Sequence, residues 1–251
     1  MNTSLAVLVV KATGDSWCDY PWPMLTGGGL PEHLGPLLGV SILNGAHAGD
    51  SSEQVMGLRR RHWLEAQLPG THILLVTFGG DDFAGDQFVI VINPNTDGDI
   101  AKAVNWERFD AILDLIIEDY EDLLELRDQL APDCWVITQS YDFPVAAKMG
   151  VGAEPLGIPV GLGPWLQPGL AHQGWTNPED QAAIVRQILL RFQARLAALA
   201  ATHRNHLHVN TQGTLSPDDW QNEIHPKASG WLKLARRINL ALLPVLDRIK
   251  P

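Results

Sequence analysis

The sequence is short of cysteine, of basic residues and of long apolar runs, and each shortage excludes something. Cys18 and Cys134 are the two cysteines in 251 residues, too few for a disulfide framework. Both sit beside apolar or aromatic neighbours and are expected as buried free thiols. Lysine and arginine number 18 against 29 acidic residues, for a formal net charge of −11. A nucleic-acid partner is therefore not expected, because phosphate binding needs a basic surface. An anionic membrane is disfavoured for the same reason. No stretch approaches the ~18 apolar residues of a membrane helix. The segment from Met1 to Ser4 runs straight into Leu5 without the basic region or the longer apolar region of a secretory signal. A cytoplasmic location is expected.

What is present reads as one globular α/β domain over residues 1–251, with 45% hydrophobic and 19% charged residues. Leu5 to Val10 is a short apolar run expected as a strand buried on both faces, and Val40 to Leu43 as a second strand. Further strands are expected at His72 to Phe78, Trp135 to Thr138 and His206 to Asn210. Helical spacing covers Glu53 to Leu68, Trp106 to Leu130 behind an Asn105 cap, a segment from Asn177-Pro178 to about Ala201, and Ser229 to Ile249. Strands alternating with helices predict a three-layer α/β/α sandwich, flavodoxin-like, around a five-stranded parallel sheet. Ligands in such sheets sit beyond the carboxyl ends of the strands. Tyr141 to Trp175 is a long Gly/Pro-rich excursion with two tryptophans, expected to pass over the site.

Chemistry is sought in the loops after the first three strands. Ser16 follows the first in Thr13-Gly14-Asp15-Ser16-Trp17, where a hydroxyl and a backbone N–H can be presented together. His225 precedes the last helix and offers a base for a serine proton. Gly49 follows the second strand, and Gly79-Gly80-Asp81-Asp82 the third; backbone N–H groups there can donate to an oxyanion. Separately, a capping serine, a turn histidine beside proline and ordinary glycine turns explain each feature. His203, His206 and His208 have metal-like spacing, but no cysteine or carboxylate pattern completes a site, so no metal is expected. Gly27-Gly28-Gly29 lacks the Lys-Ser/Thr of a phosphate loop.

Together and in this order, the features resemble the SGNH (GDSL-like) hydrolase family. Its four blocks are matched by Gly14-Asp15-Ser16, by Gly49, by Gly79-Gly80-Asp81-Asp82 and by Asn222-Glu223-Ile224-His225-Pro226. GDSWCDYP at 14–21, YDFP at 141–144, GPWL at 163–166 and WQNEIHP at 220–226 are similar to a bacterial subgroup of it. The resemblance implies a serine hydrolase that cleaves a carboxylic ester, a lipid or an acetylated sugar, through an acyl-enzyme, with no cofactor. Ser16 is then the nucleophile and His225 its base. Ser16, Gly49 and Asp81 form the oxyanion hole, while Trp17, Asp82, Tyr141 and Trp165 are expected against the substrate. Two residues depart from the family pattern. Asp81 replaces an asparagine, and a carboxylate there repels an oxyanion whereas a protonated carboxyl donates to it. Asn222 stands in place of the acid that orients the histidine, as a third catalytic residue; its carbonyl can hold the ring but not with a full charge, and the alternatives are that Glu223, Asp218 or Asp219 substitute for it or that Ser16 and His225 act as a dyad. A catalytically silent domain that binds an ester or glycan is the rival reading.

Overall fold

The structure, a computed structural model, describes residues 7–144, 151–153 and 158–249. Five parallel strands form the central sheet: β1 (Val10–Gly14), β2 (Leu43–Asn44), β3 (Ile73–Thr77), β4 (Trp135–Gln139) and β7 (His206–Val209). Their order across the sheet is β2-β1-β3-β4-β7. Between them the chain forms α1 (Pro23–Thr26), α2 (Leu30–Leu38), α3 (Ser52–Met56), α4 (Leu58–Gln67) and α5 (Trp106–Leu130). A small antiparallel hairpin follows β4, made of β5 (Val151–Ala153) and β6 (Ile158–Leu162). Then come α6 (Gln167–His172), α7 (Pro178–Thr202) and, after β7, α8 (Ala228–Ile249).

The chain steps from β1 outward to β2, then reverses and runs through β3, β4 and β7. With right-handed crossovers, that reversal sends α2 to one face of the sheet and α3, α5 and α7 to the other. The contacts agree: α8 packs on α2, while α5 packs on α3 and α7. The expected three-layer parallel α/β architecture is therefore present. The reversal falls between β1 and β3, so their carboxyl ends open onto a crevice.

Local signals set several boundaries. The Asn105 side chain accepts from the Arg108 N–H at 3.2 Å, and that of Asn177 from the Glu179 N–H at 2.8 Å; α5 and α7 start there. Three boundaries differ from expectation. The first strand is Val10–Gly14 rather than Leu5 to Val10; residues 5 and 6 of that run lie outside the described residues, and Val7 is exposed. Pairing with β3, from Val10↔Ile73 to Gly14↔Thr77, decides its position. The second strand is only Leu43–Asn44, because just two residues pair with β1. The expected helix at 53–68 is broken into α3 and α4, because Gly57 is extended (φ −65°, ψ 155°).

Around this sheet the core is continuous. It joins β3, fully buried, to Phe109, Leu113 and Ile116 of α5, Ile184 and Ile188 of α7, and Trp231 and Leu234 of α8. Cys18 and Cys134 are buried free thiols within it. Among the described residues no helix is long and apolar enough to cross a membrane.

Candidate active site

Gly14 ends β1 with φ +130°, and a Cβ there would lie 1.6 Å from the Thr77 carbonyl oxygen. Only glycine allows the two strand ends to approach this closely. The Asp15 N–H then donates to that same carbonyl at 2.7 Å, which turns the chain out of the sheet. The buried Asp15 carboxylate is held on three sides. It accepts from the Trp17 N–H at 2.9 Å, from the Thr77 hydroxyl at 2.9 Å and from the Tyr141 hydroxyl. Burial pushes this carboxyl up to about 6 against the lowering pull of those donors. Ser16 is thus fixed at the apex of a rigid turn at the sheet's topological switch point.

His225 reaches Ser16 from the other end of the chain. Its Nε2 lies 2.7 Å from the Ser16 Oγ, and its Nδ1 lies 3.0 Å from the Asn222 Oδ1. That amide oxygen also accepts from the backbone N–H groups of His225 (2.9 Å) and Ile224 (3.1 Å). Two backbone donors leave no doubt which end of the amide is oxygen. An oxygen cannot donate, so Nδ1 carries the ring proton and Nε2 is left to accept the Ser16 O–H. Burial pushes the imidazole down to about 3, so it is neutral at pH 7.

The other acids considered for orienting the ring are engaged elsewhere. Glu223 accepts from the backbone N–H groups of Trp165, Leu166 (2.9 Å) and Gln167 (2.7 Å). It ties the loop before α6 to the His225 turn. Asp219 accepts from Ser216 (2.7 Å) and pairs with Lys233 (2.6 Å). Asp218 is an exposed residue, and its backbone carbonyl, not its carboxylate, accepts from Lys227 at 2.9 Å. Asn222 is the residue bonded to Nδ1, and its own Nδ2 has no hydrogen-bond partner among the described residues.

Ser16 opens onto a cleft walled by Trp17, Gly80, Asp81, Phe83, Leu166, Val185, Leu189, Trp220 and Ile224, with Asp15, Tyr141, Asp142 and Pro144. Asp81 thus lines the same cleft as Ser16. Burial pushes its carboxyl up to about 8, and the negative charges of Asp15, Asp82 and Asp50 push it the same way. The group is mostly neutral at pH 7 and can donate a hydrogen bond. Asp82 is turned away. Its oxygens accept from the Ser52 N–H (2.8 Å) and meet the Ser52 hydroxyl (2.7 Å), which holds the start of α3. Gly49 has φ +84° and, like Asp82 and Trp165, is not part of the cleft wall.

Trp17 and Tyr141 line the cleft and meet edge to face at 4.9 Å. Trp165 meets the His225 ring edge to face at 5.3 Å. Tyr20, at 5.0 Å from that ring, was not singled out by the sequence reading, nor were Phe83, Val185, Leu189 and Ile224. Tyr20 and Ile224 lie inside the quoted motifs without a role assigned to them, whereas Val185 and Leu189 sit on the apolar face of α7, which reads from sequence only as core. Of the long excursion, Tyr141, Asp142, Pro144 and Leu166 reach the cleft; residues 145–150 and 154–157 lie outside the described residues. His206 and His208 do share one face, but both bond the Thr138 hydroxyl, at 2.9 and 3.0 Å. Among the described residues no group of three or more His, Cys, Asp or Glu is arranged to hold a metal.

No protein-family model and no curated protein matches the chain. Solved structures do. A lipase from a goat rumen metagenome superposes with a TM-score of 0.60 at 12% identity, over 94% of this chain and 97% of that one. An extracellular lipase from Streptomyces rimosus gives 0.54 at 19%, over 96% and 99%. A carbohydrate esterase of family 3 from Talaromyces cellulolyticus gives 0.52 at 13%, over 97% and 100%. The chain has the fold of SGNH-type lipases and esterases.

Proposed function

We propose that the protein is a serine hydrolase of the SGNH type that cleaves carboxylic esters through an acyl-enzyme. One observation carries the reading: the Ser16 Oγ and His225 Nε2 lie 2.7 Å apart, with Nδ1 satisfied by Asn222, in the crevice where β1 and β3 end. A buried serine bonded to an imidazole whose tautomer is fixed is a nucleophile with its base. Every structure compared above is named as a lipase or an esterase, which is consistent with that chemistry.

Ser16 attacks the ester carbonyl while its proton passes to His225 Nε2. The carbonyl oxygen becomes an oxyanion, held by the Ser16 N–H, the Gly49 N–H and the protonated Asp81 carboxyl. The C–O bond to the alcohol then breaks, and the alcohol leaves with the proton from His225. Water repeats the cycle: His225 takes its proton, hydroxide attacks the acyl-serine, and the acid is released as Ser16 regains a proton. Asn222 stabilises the imidazolium through its dipole alone, without the full charge of a carboxylate. Asp15 positions the nucleophile turn. Trp17 and Tyr141 contact the bound ester on the cleft side, and Trp165 on the His225 side. Purified protein hydrolysing a short-chain nitrophenyl ester, with Ser16→Ala silent beside it, is the expected result. Equal rates for both proteins would place the chemistry elsewhere.

A further inference from the structure

We propose that Glu223 is a positioning residue of the site: its carboxylate latches the 165–167 turn against the turn that carries His225, so that Trp165 covers the imidazole and keeps water from Nε2. The proposal rests on the ester-hydrolase reading and gives a part in it to a residue outside the nucleophile, the base and the oxyanion hole.

Three observations carry it. The first is the latch itself. Glu223 is fully buried, and both of its carboxylate oxygens accept backbone N–H groups. Oε2 takes those of Trp165 and Leu166 (2.9 Å), and Oε1 takes that of Gln167 (2.7 Å). Gln167 begins α6, and the N–H groups at a helix start have no partner within the helix. Away from water they need an acceptor from elsewhere in the chain. A carboxylate makes such bonds stronger than a neutral acceptor does.

The second is where the latch stands. Glu223 lies between Asn222 and His225. Asn222 Oδ1 holds the ring's Nδ1 and the backbone of the same turn. Consecutive residues thus do two jobs: Asn222 orients the imidazole, and Glu223 sets what lies against it. The Trp165 carbonyl in turn accepts from the Gly85 N–H at 3.0 Å. The latched turn is therefore also fastened to the loop that follows Asp81.

The third is the cover. Trp165 meets the His225 ring edge to face at 5.3 Å, Tyr20 tilts against it at 5.0 Å, and His225 is 3% exposed. Water at the ring would compete for Nε2 with the Ser16 hydroxyl, 2.7 Å away. Dryness also governs the ring's charge, because burial is what pushes the imidazole down to about 3. The ring faces the Ser16 hydroxyl, the Asn222 amide, the Tyr20 phenol and the Trp165 indole. The Asp15 and Asp81 carboxyls line the cleft with Ser16. Burial pushes the phenol up to about 12, so it stays neutral through the acid range.

The test is the pH profile of kcat/KM for a short-chain nitrophenyl ester. It compares the wild-type chain with Glu223→Gln, Glu223→Asp, Trp165→Ala and the double variant of Glu223→Gln with Trp165→Ala. Glu223→Gln sets an amide NH₂ against a backbone N–H and loosens the turn. It should lower kcat/KM at pH 7 by about tenfold to a hundredfold, the cost of a misplacement of about 1 Å. It should also move the acid limb up, toward the ordinary histidine value of about 6.5. Removing negative charge near the ring would move that limb down, so a rise reports an uncovered ring. Asp15 and Asp81 are present in every variant and cancel in the comparison. Trp165→Ala should raise the limb likewise. The double variant should match the more affected single variant within about twofold, because both act through one contact. Glu223→Asp keeps both oxygens on a stem one methylene shorter and should fall between the wild type and Glu223→Gln; it carries the test if Glu223→Gln does not fold. An acid limb that stays or moves down in the Glu223 variants would overturn the latch while leaving the hydrolase, and so would costs that multiply in the double variant. Absence of any Ser16-dependent turnover in the wild-type chain would overturn the hydrolase reading beneath it.

Discussion

Replacing Asp81 by asparagine tests how a carboxyl can serve in an oxyanion hole. The side chain shares the cleft with Ser16, and burial beside Asp15, Asp82 and Asp50 raises it to about 8. Asp81 is then roughly nine-tenths protonated at pH 7 and roughly one-tenth at pH 9. Only the protonated form donates, and losing one oxyanion donor typically costs ~10²–10³ in turnover. Wild-type kcat should therefore fall about tenfold between pH 7 and pH 9, following the protonated fraction. Asp81→Asn keeps a donor at every pH. It should match the wild type at pH 7 within about twofold and exceed it about tenfold at pH 9, mainly in kcat, because the carbonyl oxygen is nearly neutral in the ground state. Stability gives an independent reading. A carboxyl whose folded value is raised costs nothing below its unfolded value, near 4. The cost then accumulates until the pH passes about 8. The variant's advantage in unfolding free energy should grow over that window by about 1.4 kcal/mol per pH unit, then level off. Nitrophenyl ester turnover and denaturant unfolding, each from pH 5 to pH 10, measure both. Parallel activity profiles for the two proteins would remove Asp81 from the oxyanion hole.

Two further substitutions probe the parts on either side. Asn222→Asp places a full charge on the His225 Nδ1 proton and removes the orphaned Nδ2. It should raise the imidazole from about 3 by roughly one to three units, move the acid limb of kcat/KM up by the same amount and raise kcat; an unmoved limb would show that His225 does not titrate in the reaction. Gly14→Ala drives a methyl group into the Thr77 carbonyl, 1.6 Å from the new carbon. It should destabilise the fold by more than about 4 kcal/mol, read as a lowered denaturation midpoint; a loss under about 1 kcal/mol would contradict the close approach of β1 and β3.

The parts of the molecule legible in the sequence were those set by local chemistry. Asn105 and Asn177 announced their helices because an amide oxygen caps an N–H only two or three residues on. Strands alternating with helices pointed to a parallel α/β sheet, and the chain has that sheet; the four short motifs pointed to the loops beyond its strands as the site. The first strand was misplaced because an apolar run was read as the strand itself. The paired segment is Val10-Lys11-Ala12-Thr13-Gly14, small where helices cover it, with Lys11 reaching the Gln67 carbonyl and amide oxygens at 2.5 and 3.0 Å. Long-range partners place that strand, and a window of residues does not contain them. The hairpin of β5 and β6 escaped for a similar reason, because glycine and proline mask a two-strand pattern. The α7 side of the cleft, Val185 and Leu189, was invisible because α7 meets the Leu166 and 220–224 turns only in the fold. Asp81 was visible as a residue but not as an acid or a base, since burial and three other carboxylates decide its charge.

The most direct test of the central claim is to trap Ser16 chemically. A fluorophosphonate reagent reacts with a serine only when a base takes its proton. Intact-protein and peptide mass spectrometry should show one phosphonyl group, located on Ser16, with labelling lost in Ser16→Ala and slowed at least about a hundredfold in His225→Ala. A chain that stays unlabelled, or one labelled at another serine with Ser16 free, would contradict the assignment of Ser16 and His225 as nucleophile and base.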